Sequence, residues 1–184
     1  MNEGLISKRY AKALYEHASE MHEETLLYHR MQILSVVWRK MPDLKNSLKS
    51  PMVSTENKIR LLTNATGKNA EQSYLDFVDL VVNNHRLESL YMIALSYQMI
   101  YRQKKHISVV HLVSAKQLPY KALERIRLFT EQTTHGKVEF SNRIDPAIIG
   151  GFIFHLNDLR VDASVKGQLD RVSRQLAQIN KSII

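Results

Sequence analysis

Residues 144–169 read I-D-P-A-I-I-G-G-F-I-F-H-L-N-D-L-R-V-D-A-S-V-K-G-Q-L. Asp145 before Pro146 is a turn former. Gly150-Gly151 follows, and a glycine pair at a strand entry marks backbone that passes close to another segment or needs a positive φ. Two short apolar strands, 152–156 and 159–161, flank a tight turn at Asn157-Asp158. Asp162 and Ser164 then supply side-chain oxygens where a helix begins.

Outward from this stretch the same alternation continues. Ile107, Val109 and Val113 read as a strand with β-branched residues on one face. A helix starting near Pro119 carries Ala122, Ile126 and Phe129 and stops before Gly136, and Val138 and Phe140 mark another strand. Downstream, Val165, Leu169, Val172, Leu176 and Ile179 recur at spacings of 4, 3, 4 and 3, which makes a final amphipathic helix. Residues 106–184 are therefore expected to form a small domain of about four strands and two helices. A domain of that size buries a thin core by itself, so a neighbour is expected to add to it.

Residues 1–105 follow a helical period throughout. Ile6, Tyr10, Ala13, Leu14 and His17 share one face of a helix over 4–18, and Leu27, Met31, Leu34, Trp38 and Met41 share one face of the next. Pro42 stops that helix. A short helical turn spans 44–48, and Ser54 caps a helix carrying Ile59, Leu62 and Ala65 that Gly67 closes. Over 69–83 seven of nine consecutive positions from Tyr74 to Val82 are apolar, too wide a stripe for a helix covering a core on one side. It is either the centre of a bundle or a helix that offers a second face to a partner. Asn83-Asn84 is expected to end it through the tolerance of Asn for left-handed backbone. A long helix with Leu87, Leu90, Tyr91, Ala94, Tyr97 and Tyr101 completes the region. The fold class expected is α+β, with a six-helix N-terminal bundle (1–105) followed by a small C-terminal α/β domain (106–184).

Composition narrows the function. The chain has 184 residues, no cysteine and a formal charge of +8. No apolar run approaches the ~20 residues that span a bilayer, and the first residues carry neither a secretory nor a transit signature. A complete, cytosolic chain is expected. The excess charge is even: 15 basic against 11 acidic residues up to Lys105, 11 against 7 beyond it. Such a spread suits weak attraction to acidic surfaces, and a basic helical module binding nucleic acid is the alternative it leaves open.

Signals for catalysis are nearly absent. Gly150-Gly151 has neither a P-loop lysine nor G-x-G-x-x-G, so it reads as a structural turn. Asp145, Asp162 and Ser164 would be the elements of a small hydrolase, but a turn and a helix cap explain them, and no G-x-S-x-G surrounds Ser164. The eight histidines include no H-x-x-x-H pair and lack cysteine partners. No catalytic residue, no metal site and no cofactor is expected. Tyr74, Tyr91, Tyr97 and Tyr101 read as core rather than as base-stacking platforms.

Two apolar features remain. Ala11 and Ala18 flank Leu14 and leave a low strip on the first helix. Opposed to the broad face of the 69–83 helix, that strip either packs within the bundle or forms a groove for an amphipathic helix of another chain. In the second case Asp at Ala11 or Val78 should place an unpaired charge in the groove. The stripe on the last helix either covers the small sheet or offers a further surface.

Several segments together resemble the delta subunit of F-type ATP synthases, known in mitochondria as the oligomycin-sensitivity-conferring protein. Residues 9–15, R-Y-A-K-A-L-Y, resemble its R/P-Y-A-x-A-L-F opening. Leu48-x-Ser50-Pro51 before a helix bearing Lys58, Asn84-x-Arg86-Leu87, and residues 109–118 ending S-A-x-x-L are similar to further elements. Residues 144–169 resemble its I/V-D-x-x-I/L-x-G-G and D-G-S-V-x-x-x-L segments, with Ala163 and Asn157-Asp158 as departures.

The resemblance implies a stator subunit without an active site of its own. It implies an N-terminal bundle on the catalytic head that takes the N-terminal helix of an alpha subunit between its first and fifth helices. Those helices map here onto Tyr10, Ala11, Leu14 and Ala18 and onto Leu75, Val78 and Val82. It further implies that the C-terminal domain meets the b subunit of the peripheral stalk. The chain would then lie peripherally on the cytoplasmic face of the bacterial inner membrane, reaching the membrane through the complex, with no nucleic acid partner.

Overall fold

A computed structural model describes residues 3–67 and 69–182. The chain is α+β and divides into two compact units, Met1–Lys105 and His106–Ile184. The first holds α1 (Glu3–Glu20), α2 (Glu24–Lys40), α3 (Pro42–Lys49), α4 (Thr55–Thr66), α5 (Gln72–Asn83), a 3₁₀ turn (Leu87–Ser89) and α6 (Leu90–Lys104). The second holds β1 (Ile107–Ser114), α7 (Tyr120–Thr134), β2 (Lys137–Ile144), a 3₁₀ turn (Pro146–Ile148), β3 (Phe152–Leu156), β4 (Leu159–Asp162) and α8 (Val165–Ser182).

Local chemistry sets most boundaries in the first unit. Pro42 begins α3 immediately after α2, where a missing N–H costs nothing. The Ser54 hydroxyl accepts the Asn57 N–H at 3.3 Å and starts α4, and Gly67 ends it with φ 113. The Glu23 carboxylate, in the α1–α2 turn, accepts the Ser73 N–H at 2.9 Å and so caps α5 from outside that helix. Histidine does work usually left to glycine or asparagine. His22, His85, His106 and His135 all have φ between 50 and 56, each just past a helix end. After α5 the left-handed residue is thus His85; Asn84 keeps a negative φ.

The core of this unit is formed by Leu27, Met31 and Leu34 of α2, Leu62 of α4, Tyr74, Val78 and Val81 of α5, and Leu90, Ile93 and Tyr97 of α6, all buried. Met41, expected on the α2 stripe, is exposed. Among the described residues one charged side chain, Arg30, is buried in this core. Arg30 pairs with the Glu71 carboxylate, donates to the Thr66, Gly67 and Asn69 carbonyls at 3.3, 2.9 and 3.0 Å, and lies over the Tyr74 ring. It ties the α4–α5 loop to α2 and satisfies three carbonyls that a helix end and a loop leave without partners.

In the second unit the sheet order is β2-β1-β3-β4, with β1 parallel to β2 and antiparallel to β3, and β3 antiparallel to β4. The β1–α7–β2 crossover supplies the parallel pair. The inward positions of β1 are Val110, Leu112 and Ser114, the opposite phase from the Ile107, Val109 and Val113 expected. Both neighbours fix that phase: Val110 stands opposite Phe140 on one side and Leu156 on the other. Phe129, expected in the core face of α7, is 70% exposed, and Thr130 beside it is buried.

Candidate functional site

An open groove of about 590 Å³ lies between α1 and α5. Ile6, Arg9, Tyr10, Ala13, Leu14 and His17 line it from α1, Asp76, Phe77 and Leu80 from α5, and Arg86 from the turn that follows. The two helices are antiparallel. Asn84 donates to the Tyr10 hydroxyl at 3.3 Å near one end, and His17 Nε2 lies 3.2 Å from an Asp76 carboxylate oxygen near the other. Gln72 donates to the second Asp76 oxygen at 2.8 Å.

The groove exists because α1 has two faces of different kinds. Ser7, Ala11, Leu14 and Ala18 form the buried one. Ala11 and Ala18, at 0% exposure, are small enough for α1 to lie close to α6, its most extensive neighbour. Tyr15 reaches the Tyr97 ring at 6.0 Å alongside. The stripe of Ile6, Tyr10, Ala13 and His17 turns outward as a result. On α5, Tyr74, Phe77, Val78, Val81 and Val82 are buried, whereas Leu80 is 50% exposed.

Of the seven residues read from sequence as groove walls, only Tyr10 and Leu14 line it. Ala11, Ala18, Val78 and Val82 are core, and Leu75 is half-buried outside the lining. The correction has a simple cause: an alanine strip looked like a shallow surface, but small residues are what permits close helix contact. Asp at Ala11 or Val78 would therefore bury a charge in the core, not in the groove. Ile6, Arg9, Ala13, His17, Asp76, Phe77, Leu80 and Arg86 were missed as lining. The i, i+4, i+7, i+11 stripe from Ile6 to His17, read only as one face of an amphipathic helix, was the usable signal.

The remaining candidates have local roles. The Asp145 carboxylate accepts the Ala147 N–H at 3.0 Å and pairs with Arg143. Asp162 accepts both the N–H and the hydroxyl of Ser164, at 3.1 and 2.6 Å, and Ser164 in turn accepts the Gly167 N–H at 3.0 Å. The Ser164 hydroxyl, its backbone N–H and then Arg160 hold the Asp162 carboxyl below the usual carboxylate range. Gly151 has φ 73, and a Cβ there would lie 2.2 Å from the Ala163 carbonyl oxygen. A Cβ on Gly150 would meet a Val165 methyl at 3.0 Å. Among the described residues no group of three or more His, Asp or Glu is arranged to hold a metal ion, and no helix is long and apolar enough to cross a membrane.

The stripe of α8 does not cover the sheet. Val165, Leu169, Val172 and Leu176 are exposed, Leu169 by 55%, and α8 packs mainly on the 3₁₀ turn at Pro146–Ile148. Ile179, the last residue expected in the stripe, lies outside the residues whose side chains are described.

Residues 6–176 match the family described as ATP synthase delta (OSCP) subunit. The ATP synthase subunit delta of Bacteroides thetaiotaomicron is 39% identical over 186 residues, covering 100% of both chains. That of Phocaeicola vulgatus is 37% identical over 98% of both, and that of Rickettsia bellii 26% identical over 98% of this chain and 96% of its own. In fold the chain is similar to a chain of the Toxoplasma gondii mitochondrial ATP synthase hexamer. The TM-score is 0.70 at 21% identity, over 96% of this chain and 98% of that one.

Proposed function

The chain belongs to the ATP synthase delta (OSCP) subunit family, and from that membership we propose that it is a non-catalytic stator subunit joining the catalytic head to the peripheral stalk. Its six-helix N-terminal bundle takes the N-terminal helix of an alpha subunit into the groove between α1 and α5. Its C-terminal unit takes the end of the stalk b subunit. Held between the two, the head resists the torque of the rotating shaft. The subunit sits on the cytoplasmic face of the inner membrane and reaches the membrane through the complex.

The observation that carries this reading is the groove itself: an open groove of about 590 Å³ whose apolar lining is Ile6, Ala13, Leu14, Phe77 and Leu80, with Leu80 50% exposed. An amphipathic helix with apolar residues at i, i+3 or i+4, and i+7 fits such a floor. The exposed α8 stripe supports the second contact in the same way.

Titration of a labelled alpha N-terminal peptide tests the first contact. Leu80→Asp and Ala13→Asp are exposed positions, so these variants keep the fold. Each should lose affinity by about 30-fold or more, because docking strands a carboxylate against apolar surface. Unchanged affinity in folded variants overturns the groove as the site.

A further inference from the structure

We infer that the groove is electrically polarised and favours its helix in one direction, with the carboxyl end of the guest at Arg9 and Arg86. The inference rests on the reading of the groove as a helix-binding site. Tyr10 meets Asn84 at one end and His17 meets Asp76 at the other, seven residues of α1 apart, or about 10 Å along a helix axis.

At the first end stand two guanidiniums, Arg9 and Arg86. Both are exposed, and among the described residues neither has an ion-pair partner. At the second end stands the Asp76 carboxylate, fixed by His17 and Gln72. The floor between is apolar. A docked helix brings partial positive charge at its N-terminus and partial negative charge at its C-terminus. The favourable placement sets its N-terminus against Asp76 and its C-terminus against the arginines. The guest then runs parallel to α5 and antiparallel to α1.

The same geometry states the chemistry of the guest. It is an amphipathic helix of two to three turns with an apolar face and carboxylates in its last turn. Acidic residues there weaken an isolated helix, because they oppose its own dipole. The arginine pair relieves that penalty on docking, so the groove selects a guest that is a poor helix when free. This is specificity through charge placement more than through area.

The test uses the full chain and two synthetic peptides of ~14 residues with one composition and the same apolar face. One carries Lys in its first turn and Glu in its last; the other exchanges them. The exchanged peptide is the better helix alone, so any preference for the first is gained in the groove. By fluorescence anisotropy at low salt the Glu-last peptide should bind about fivefold tighter. High salt should erase most of that ratio. Arg9→Gln with Arg86→Gln should bring the ratio to one or below while both peptides still bind, and Arg9→Glu with Arg86→Glu should reverse it. Circular dichroism checks that each variant is folded. Equal binding of the two peptides, or a preference that survives Arg9→Gln with Arg86→Gln, overturns the polarity but leaves the groove. Failure of both peptides to bind overturns polarity and groove together.

Discussion

Of the twelve largest fully buried side chains among the described residues, eleven lie in α1–α6 and only Leu112 in the C-terminal unit. Both units expose large apolar side chains, but the C-terminal unit sets Phe129, Ile149, Leu159, Leu169, Val172 and Leu176 against a buried apolar core, among the described residues, of only Val110, Leu112 and Ile148. The helical unit thus holds its own core and keeps an open groove between α1 and α5. The sheet unit keeps little inside and displays much. The difference teaches where each unit's order can come from: intrinsic packing suffices in the first, and the second has little buried apolar area of its own to supply it.

The largest effect expected comes from breaking the helical unit at the buried Arg30–Glu71 ion pair. Arg30→Ala leaves Glu71 and three loop carbonyls without their partner and should cost about 3–5 kcal/mol in urea unfolding. A cost below about 1 kcal/mol would mean the loop is held by other contacts.

Alkaline pH should separate the units next. Burial, against the opposing effects of the Thr66 hydroxyl and Arg30, pushes the Tyr74 phenol up to about 12, and burial also raises Tyr97. A raised phenol pKa stabilises the fold fully below the unfolded value near 10, and that contribution is lost as pH climbs from 10 through 12. For Tyr74 the loss is about 3 kcal/mol. Thermal melts should fall over this window for the helical unit, and less steeply in Tyr74→Phe.

Within the sheet unit the segment 149–151 offers a pair of opposite signs. Gly151→Ala meets both a left-handed backbone and the Ala163 carbonyl and should destabilise by about 2 kcal/mol. Its neighbour Ile149 has φ 68 and ψ −47, with the Gly150 N–H reaching the Ile148 carbonyl at 2.8 Å, a strained γ-turn for a β-branched residue. Ile149→Gly should stabilise by about 1 kcal/mol, and a loss of stability would refute the strain. The smallest change is expected on α8, where Leu169→Ala or Leu176→Ala should shift the isolated chain's stability by less than about 0.5 kcal/mol while weakening capture of the stalk subunit.

These expectations also mark what could be read from residues alone. Termini with a local cause were legible: Pro42, Ser54 and the Asp162–Ser164 cap each act within a few residues. Left-handed helix ends were not, because His22, His85, His106 and His135 stand where glycine is the usual sign. The two faces of α1 were visible as stripes, but which of them is buried stayed open, since whether Ala11 is core depends on how near α6 comes. The phase of β1 failed for the same reason: both of its faces carry apolar residues, and the neighbours Phe140 and Leu156 choose between them. Segments whose order is local are legible; faces whose burial is set by distant chain are legible only as alternatives.

Residue-resolved NMR of the full chain, titrated with an alpha N-terminal peptide, addresses the groove most directly. The expected result is a set of saturable shifts at Ile6, Ala13, Phe77 and Leu80, with His106–Ile184 unmoved. Shifts confined to His106–Ile184, or a saturated complex with those four residues unperturbed, would contradict it.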